Sequence, residues 1–175
     1  MKRSSLLAWV VVLGLPAAAG AQGFGARLGL ETPVFTDFSR DGTSGSFWLG
    51  DSFQPTIDVI AEFYPVSLIG LGIEGNFGVA ATGDYERTGT DIGPNVTFDF
   101  NPLPFYARAA LPIHLEPEPV RVDFRAAGGV KLALVPSLLA LYVEAAFDFP
   151  IEGGGRTDFF DTRQLNVGAG LWLKI

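Results

Sequence analysis

The sequence predicts an all-β fold, a closed antiparallel eight-stranded transmembrane β-barrel with short turns at one end and longer loops at the other. Three observations carry this reading. Apolar and polar residues alternate with period two through most of the chain after residue 22, eight such segments can be counted between Pro- and Gly-rich punctuation, and all of them lie behind an N-terminal secretion signal. The alternation is plainest from Ile69 to Val79. There Ile69, Leu71, Ile73, Phe77 and Val79 share one parity, while Gly70, Gly72, Glu74, Asn76 and Gly78 share the other. Side chains of a strand point alternately to its two faces, so this segment has one apolar and one polar face. Apolar faces turned to lipid and polar faces turned to a lumen are the pattern of a membrane barrel.

Residues 1–21 have the three parts of a signal peptide: basic Lys2 and Arg3, an apolar run from Leu6 to Leu15, and the small residues Ala19-Gly20-Ala21. The apolar run is too short for a helix that must cover a bilayer with about 20 residues. Residues 22–175 are then the barrel domain. Cleavage removes two bases and no acid, which makes a formal charge of −7 more negative still and argues against a nucleic-acid partner. The chain has no cysteine, which excludes disulfides and thiolate metal sites alike.

The eight segments run Gly23 to Val34, Pro55 to Tyr64, Leu68 to Ala80, Asn95 to Asn101, Pro104 to Leu115, Val120 to Ala133, Leu138 to Phe149 and Arg163 to Ile175. Tight Pro-containing turns join the second to the third (Pro65-Val66-Ser67), the fourth to the fifth (Asn101-Pro102-Leu103-Pro104) and the sixth to the seventh (Val135-Pro136-Ser137). The other connections include the long polar stretches Phe35 to Gln54, Ala81 to Pro94 and Pro150 to Thr162; only Glu116 to Pro119 is short. Short turns face the periplasm and long loops face outward in outer-membrane barrels, and an even strand count leaves both termini on the periplasmic side. Pro112 interrupts the fifth segment, and a bulge beside Ile113 and His114 is the expected accommodation.

On the outward parity, the second segment offers Ile57, Val59, Ala61 and Phe63, and the seventh offers Leu139, Leu141, Val143, Ala145, Phe147 and Phe149. No charge interrupts either run. A Lys or Arg on such a face costs about 2–4 kcal/mol at the bilayer midplane. Aromatics gather at segment ends and suggest two girdles: Phe63, Tyr64, Phe98, Phe100, Phe105 and Tyr106 below, with Phe77, Phe147, Phe149 and the first-loop residues Phe47 and Trp48 above. The inward parity carries both signs of charge. Its expected network is Arg27, Asp58, Glu62, Glu74, Arg108, Arg121, Asp123, Arg125, Glu144 and Asp148, accompanied by Glu31, Asn76, His114 and Lys131. One register about Pro136 sets Arg125 opposite Glu144 and Arg121 opposite Asp148. Inward glycines at 70, 72, 78, 168 and 170 are expected to relieve crowding.

Over residues 22–175 the chain resembles the small eight-stranded outer-membrane proteins of the OmpX/OmpA-like β-barrel family. The likeness is architectural, and one recognisable element is the final strand, with Leu165, Val167, Ala169, Leu171, Leu173 and Ile175 alternating up to residue 175. It departs at the last residue, where Ile175 stands in place of the usual aromatic. The resemblance implies outer-membrane lipid and the outer-membrane insertion machinery as partners.

Chemistry is sparse. His114 is the single histidine, and no serine has a spacing that sets it beside His114 on one strand face, so the reading is not an enzyme. Asp51, Asp84, Asp91, Asp158 and Asp161 fall in loops without the compact spacing of a calcium loop. Gly153-Gly154-Gly155 lacks the lysine of a phosphate loop, and no cofactor is expected. The first reading is therefore a structural or surface-interaction protein acting through its external loops toward an unknown external partner, with Phe38, Phe47, Trp48 and Phe53 as the contact surface. A narrow channel for small solutes is the alternative, and a secreted lipocalin-like ligand-binding barrel a third. Amino-terminal sequencing of the exported protein is expected to read from Gln22, and a mature chain still carrying residues 1–21 would contradict the signal assignment.

Overall fold

The computed structural model describes residues 23–40, 43–48, 55–79, 89–115, 121–153 and 163–175. Ten strand segments follow one another: β1 (Phe24–Arg40), β2 (Thr43–Trp48), β3 (Thr56–Val66), β4 (Ile69–Gly78), β5 (Thr90–Asp99), β6 (Phe105–Ala110), β7 (Ile113–His114), β8 (Arg121–Val135), β9 (Leu139–Gly153) and β10 (Arg163–Lys174). They make eight wall strands, because β6 and β7 are two pieces of one strand and β2 folds back on the upper part of β1. Every pairing is antiparallel. The sheet closes where β10 meets β1, from Gly25↔Lys174 to Asp37↔Arg163. Closure leaves no open wall edge, which is what a backbone in hydrocarbon requires.

The barrel is inside-out relative to a water-soluble protein. Leu28, Leu30, Ile73, Val130, Leu132 and Val143 are exposed on its outer face, while Arg27, Asp58, Glu62, Glu74, Arg108, Asp123, Arg125, Glu144 and Asp148 are buried within it. Period-two alternation produces this directly, since a wall strand presents one parity to each side. Among the described residues three short connections lie at one end, at Ser67-Leu68, residues 100–104 and Pro136–Leu138. This is the turn end; the other is the loop end.

Four expectations need correction. First, β1 continues beyond Val34 and forms a hairpin with β2, from Phe35↔Trp48 to Arg40↔Thr43. Part of the stretch expected to be first loop is therefore strand. Second, the fourth wall strand begins at Thr90, which brings Asp91 and Pro94 out of the expected loop and into β5. Pro94 faces outward, and its carbonyl accepts the amide of Leu111 at 3.0 Å.

Third, Pro112 makes no bulge. The β6–β8 pairing Ala110↔Arg125 and the β7–β8 pairing Ile113↔Val122 keep one register across the gap, as do Asn95↔Ala110 and Ile92↔Ile113 on the β5 side. Gly93 makes the straight passage possible: a Cβ there would collide with the Leu111 carbonyl and press on the Pro112 Cα. The proline removes one N–H from the ladder without removing the alignment, and its carbonyl still accepts from the Asp123 amide at 3.0 Å.

Fourth, Arg125 lies opposite Asp148 and not Glu144, while Glu144 faces Gly129 and Arg121 faces Gly153. The turn is centred on Pro136–Leu138, with Ser137 at φ 62° and the Leu138 amide bonded to the Val135 carbonyl at 3.1 Å. Moving a hairpin centre by two residues displaces each cross-strand partner by four. A second irregularity at Val122/Asp123 offsets the loop end of the same hairpin.

Gly93→Val is expected to lower stability by about 1–3 kcal/mol through overpacking against Leu111 and Pro112. Urea unfolding in lipid vesicles checks this; an unchanged midpoint would show that the wall does not pass straight through Pro112.

Candidate functional site

Among the described residues charged and polar side chains concentrate in the lumen, and they are layered. Toward the turn end Tyr64, Tyr106, Tyr142 and Trp172 form a buried aromatic cluster. Tyr64 and Tyr106 were expected in the girdle at that end, yet they share parity with Glu62 and Arg108 and so point inward, 1% and 2% exposed. Their position along the strand suggested an interface, but their parity decides the face. Space for the rings comes from glycine. A Cβ on Gly29 would overlap the Tyr142 hydroxyl, one on Gly129 would meet the Tyr106 ring, and one on Gly70 would press on Tyr64.

Three arginines hold the middle layer, and shared acids join them. Arg27 donates from Nη2 to both Glu62 oxygens, at 3.1 and 3.2 Å, and to Thr97 Oγ1 at 2.8 Å. Its guanidinium lies 3.8 Å from the Trp172 ring centroid and 4.8 Å from that of Tyr106, while Nη1 is 3.6 Å from Glu144. Arg108 pairs with Glu74 through Nη1 and with Glu144 through Nη2 and Nε. Arg125 forms a two-bond fork with Asp148 at 2.7 and 2.8 Å and reaches Glu31 at 3.0 Å; Glu74 lies 3.8 Å from it. Glu144 thus links Arg27 to Arg108, and Glu74 links Arg108 to Arg125. One relay of alternating charge crosses the lumen from Glu62 to Asp148.

Asp58 is buried but stands off the relay. Its Oδ2 accepts from the Tyr142 hydroxyl at 3.4 Å, and a turned Asn76 amide donates to Oδ1 at 3.0 Å. Arg121 and Asp123, expected in the same network, belong to a separate cluster at the loop end. There Asp123 Oδ2 lies 2.6 Å from Arg121 Nη2 and 2.7 Å from His114 Nε2, and Asp91 bonds His114 Nδ1. At the turn end Lys131 and Lys174 both pair with Asp99. Thr97, Asp99 and Lys174 escaped the sequence reading. Their inward parity within β5 and β10 was the available signal.

A polar cavity of about 40 Å³ sits at the loop end, lined among others by Glu31, Asn76, Asp91, Arg125, Asp148 and Asn166. Below it the relay crosses the bore from β3 to β9. Among the described residues no three His, Asp or Glu side chains are grouped to hold a metal ion. Of the expected loop surface, Trp48 is 63% exposed at the end of β2 and packs on Phe35 with ring centroids 4.9 Å apart. Phe38 lies in β1 and Phe47 in β2, with their side chains outside the described set, and Phe53 lies outside the described residues altogether.

No protein-family model matches the chain, and no curated protein does. Solved structures do. The fold is that of the small eight-stranded outer-membrane β-barrels. Neisserial surface protein A superposes with a TM-score of 0.56 at 15% identity, over 87% of this chain and 97% of that one. The outer membrane protein OprG from Pseudomonas aeruginosa superposes at 0.52 with 9% identity, over 89% of this chain and 97% of its own.

Removing one member of the relay leaves its partners with less compensating charge, although Arg108 keeps Glu74 and Arg27 keeps Glu62. Glu144→Ala leaves Arg108 and Arg27 short of a carboxylate in a buried site, with an expected cost of about 3–5 kcal/mol. Unfolding of this variant beside Asp158→Ala, a change in a stretch expected from the sequence to be loop, checks it; equal losses would show the relay to be dispensable.

Proposed function

We propose that this chain is an outer-membrane protein with a structural or surface-interaction role, acting through its loop end while its lumen serves as a plug. The observation that carries the reading is the relay of Arg27, Arg108 and Arg125 through Glu144 and Glu74. An eight-stranded barrel has an interior just wide enough for side chains to fill, and here the fill is cross-linked by charge from one wall to the other. A solute path would have to break several buried ion pairs at once.

What remains to act is the exterior. The wall meets lipid with its apolar face, and assembly there engages the insertion machinery. The β1–β2 hairpin rises past the last β1–β3 pair, Glu31↔Thr56, and carries Trp48 at its exposed edge. Aromatic groups presented by a hairpin suit recognition, since they offer contact area at low cost in conformational entropy. The similarity to Neisserial surface protein A, a surface protein by name, supports this reading. The buried carboxylates and arginines serve packing in this account, and the chain is not an enzyme. A secreted lipocalin-like barrel would need the two faces exchanged.

Planar-bilayer recording of the purified protein tests the plug. The expected trace has no steady conductance; stable single-channel currents that scale with salt would put the narrow-channel reading first.

A further inference from the structure

The turn end of the barrel carries no charge at its tips. The three short connections with their flanks, residues 65–68, 100–104 and 132–139, hold no Asp, Glu, Lys or Arg, whereas the stretches between strands at the other end hold Glu86, Glu116 and Asp158 among others. In place of charge the turns expose Val66, Leu68, Phe100, Leu103, Val135 and Leu138. Pro65, Pro102, Pro104 and Pro136 bring no N–H that would need a partner. The Leu103 and Leu138 amides are bonded within their own turns, at 2.8 and 3.1 Å. Turns that stand in water are ordinarily polar.

Height accounts for the difference. A tilted strand crosses the hydrocarbon layer in about 9–11 residues. Counted down the outer face of β10 from Leu165, the first apolar position past the exposed Arg163, that span ends at Ile175; on β9 it runs from Phe149 to Leu139. The Lys174 amide donates to the Leu138 carbonyl at 2.8 Å, so these two ends lie side by side at the base of a turn. Beyond that base the chain projects by about two residues, roughly 5 Å of height for tilted strands. The headgroup layer on each side of a bilayer is about 5–7 Å thick.

We propose that the turn end is a foot seated in lipid: its three turns lie among the glycerol and phosphate groups of the adjoining leaflet and do not reach the water beyond. Lipid is the occupant because the apolar turns continue the apolar wall with no charged break, so the inference rests on the reading of that wall as lipid-facing. The acid nearest the tips, Asp99, is buried and paired with Lys131 and Lys174, which leaves no exposed carboxylate there to oppose lipid phosphate. Recognition of soluble partners then falls to the loop end.

The chain has no cysteine, so single spin labels can be placed without other changes. Leu103→Cys and Ser137→Cys report on two tips, Val130→Cys on the wall and Ser46→Cys on the β1–β2 hairpin, all four positions being exposed. In phospholipid nanodiscs, which leave both ends open to solution, collision rates with oxygen and with a water-soluble nickel chelate are read by electron paramagnetic resonance. Nickel collisions at Leu103 and Ser137 are expected several-fold below those at Ser46, with oxygen still reaching both tips. Nickel rates at the tips equal to that at Ser46, with Val130 shielded, overturn the foot and leave the lipid-facing wall standing. Nickel reaching Val130 as well overturns both. Tips shielded from oxygen and nickel alike, with dipolar broadening between labels, overturn the foot in favour of contact with a second copy.

Discussion

Everything in this structure depends on keeping charge inside a narrow wall. An eight-stranded barrel has an interior about wide enough for side chains to fill, and its outer face is apolar, so the charges that point inward must be compensated by one another. Arg27, Arg108 and Arg125 meet that demand by sharing acids, with Glu144 between the first two and Glu74 between the second and third. Buried charges of this kind contribute little net stability when paired and cost several kcal/mol when stranded. The relay is therefore better understood as a constraint on which barrel forms than as the force that forms it. Closed hydrogen-bonding between wall strands supplies that force in a setting where an unpaired backbone group is costly.

The aromatic layer works with the relay. Trp172 and Tyr106 present ring faces to the Arg27 guanidinium, which leaves fewer of its donors in need of oxygen. Lys174 sits over Tyr64 in the same way, 3.8 Å from the ring centroid. Glycines opposite these rings, Gly29 and Gly129 among them, are what allow four large side chains to fit one end of the bore. The interior is thus a graded fill, aromatic toward the turn end, ionic in the middle and a small polar cavity at the loop end.

Much of the architecture was legible from alternation alone, because parity fixes the face of each residue and Pro-containing turns fix the strand count. Parity placed Arg27, Glu62, Glu74, Arg108 and Arg125 inside without knowledge of any contact. It also held the correct answer for Tyr64 and Tyr106, where proximity to a strand end was weighed instead. Register was not legible. Arg125 meets Asp148 because the turn centres on Pro136–Leu138, and nothing in the alternating pattern distinguishes that centre from one two residues earlier. Pairs distant in sequence, such as Arg27 with Glu144, follow from barrel closure and stagger, which one strand at a time cannot reveal. The straight passage at Pro112 rests on Gly93, a residue on the neighbouring strand.

Arg108 and Glu144 offer the most direct test that the lumen is held by mutual charge compensation, because each leaves its other partners supplied: Arg27 keeps Glu62, and Glu74 keeps Arg125 nearby. The measurement is a double-mutant cycle of Arg108→Met and Glu144→Leu, with unfolding free energies in lipid vesicles. Each single change should lose about 3–5 kcal/mol, and the double variant should recover most of that loss because no charge is left alone. Losses that simply add would contradict the account and reduce the relay to a set of independent contacts.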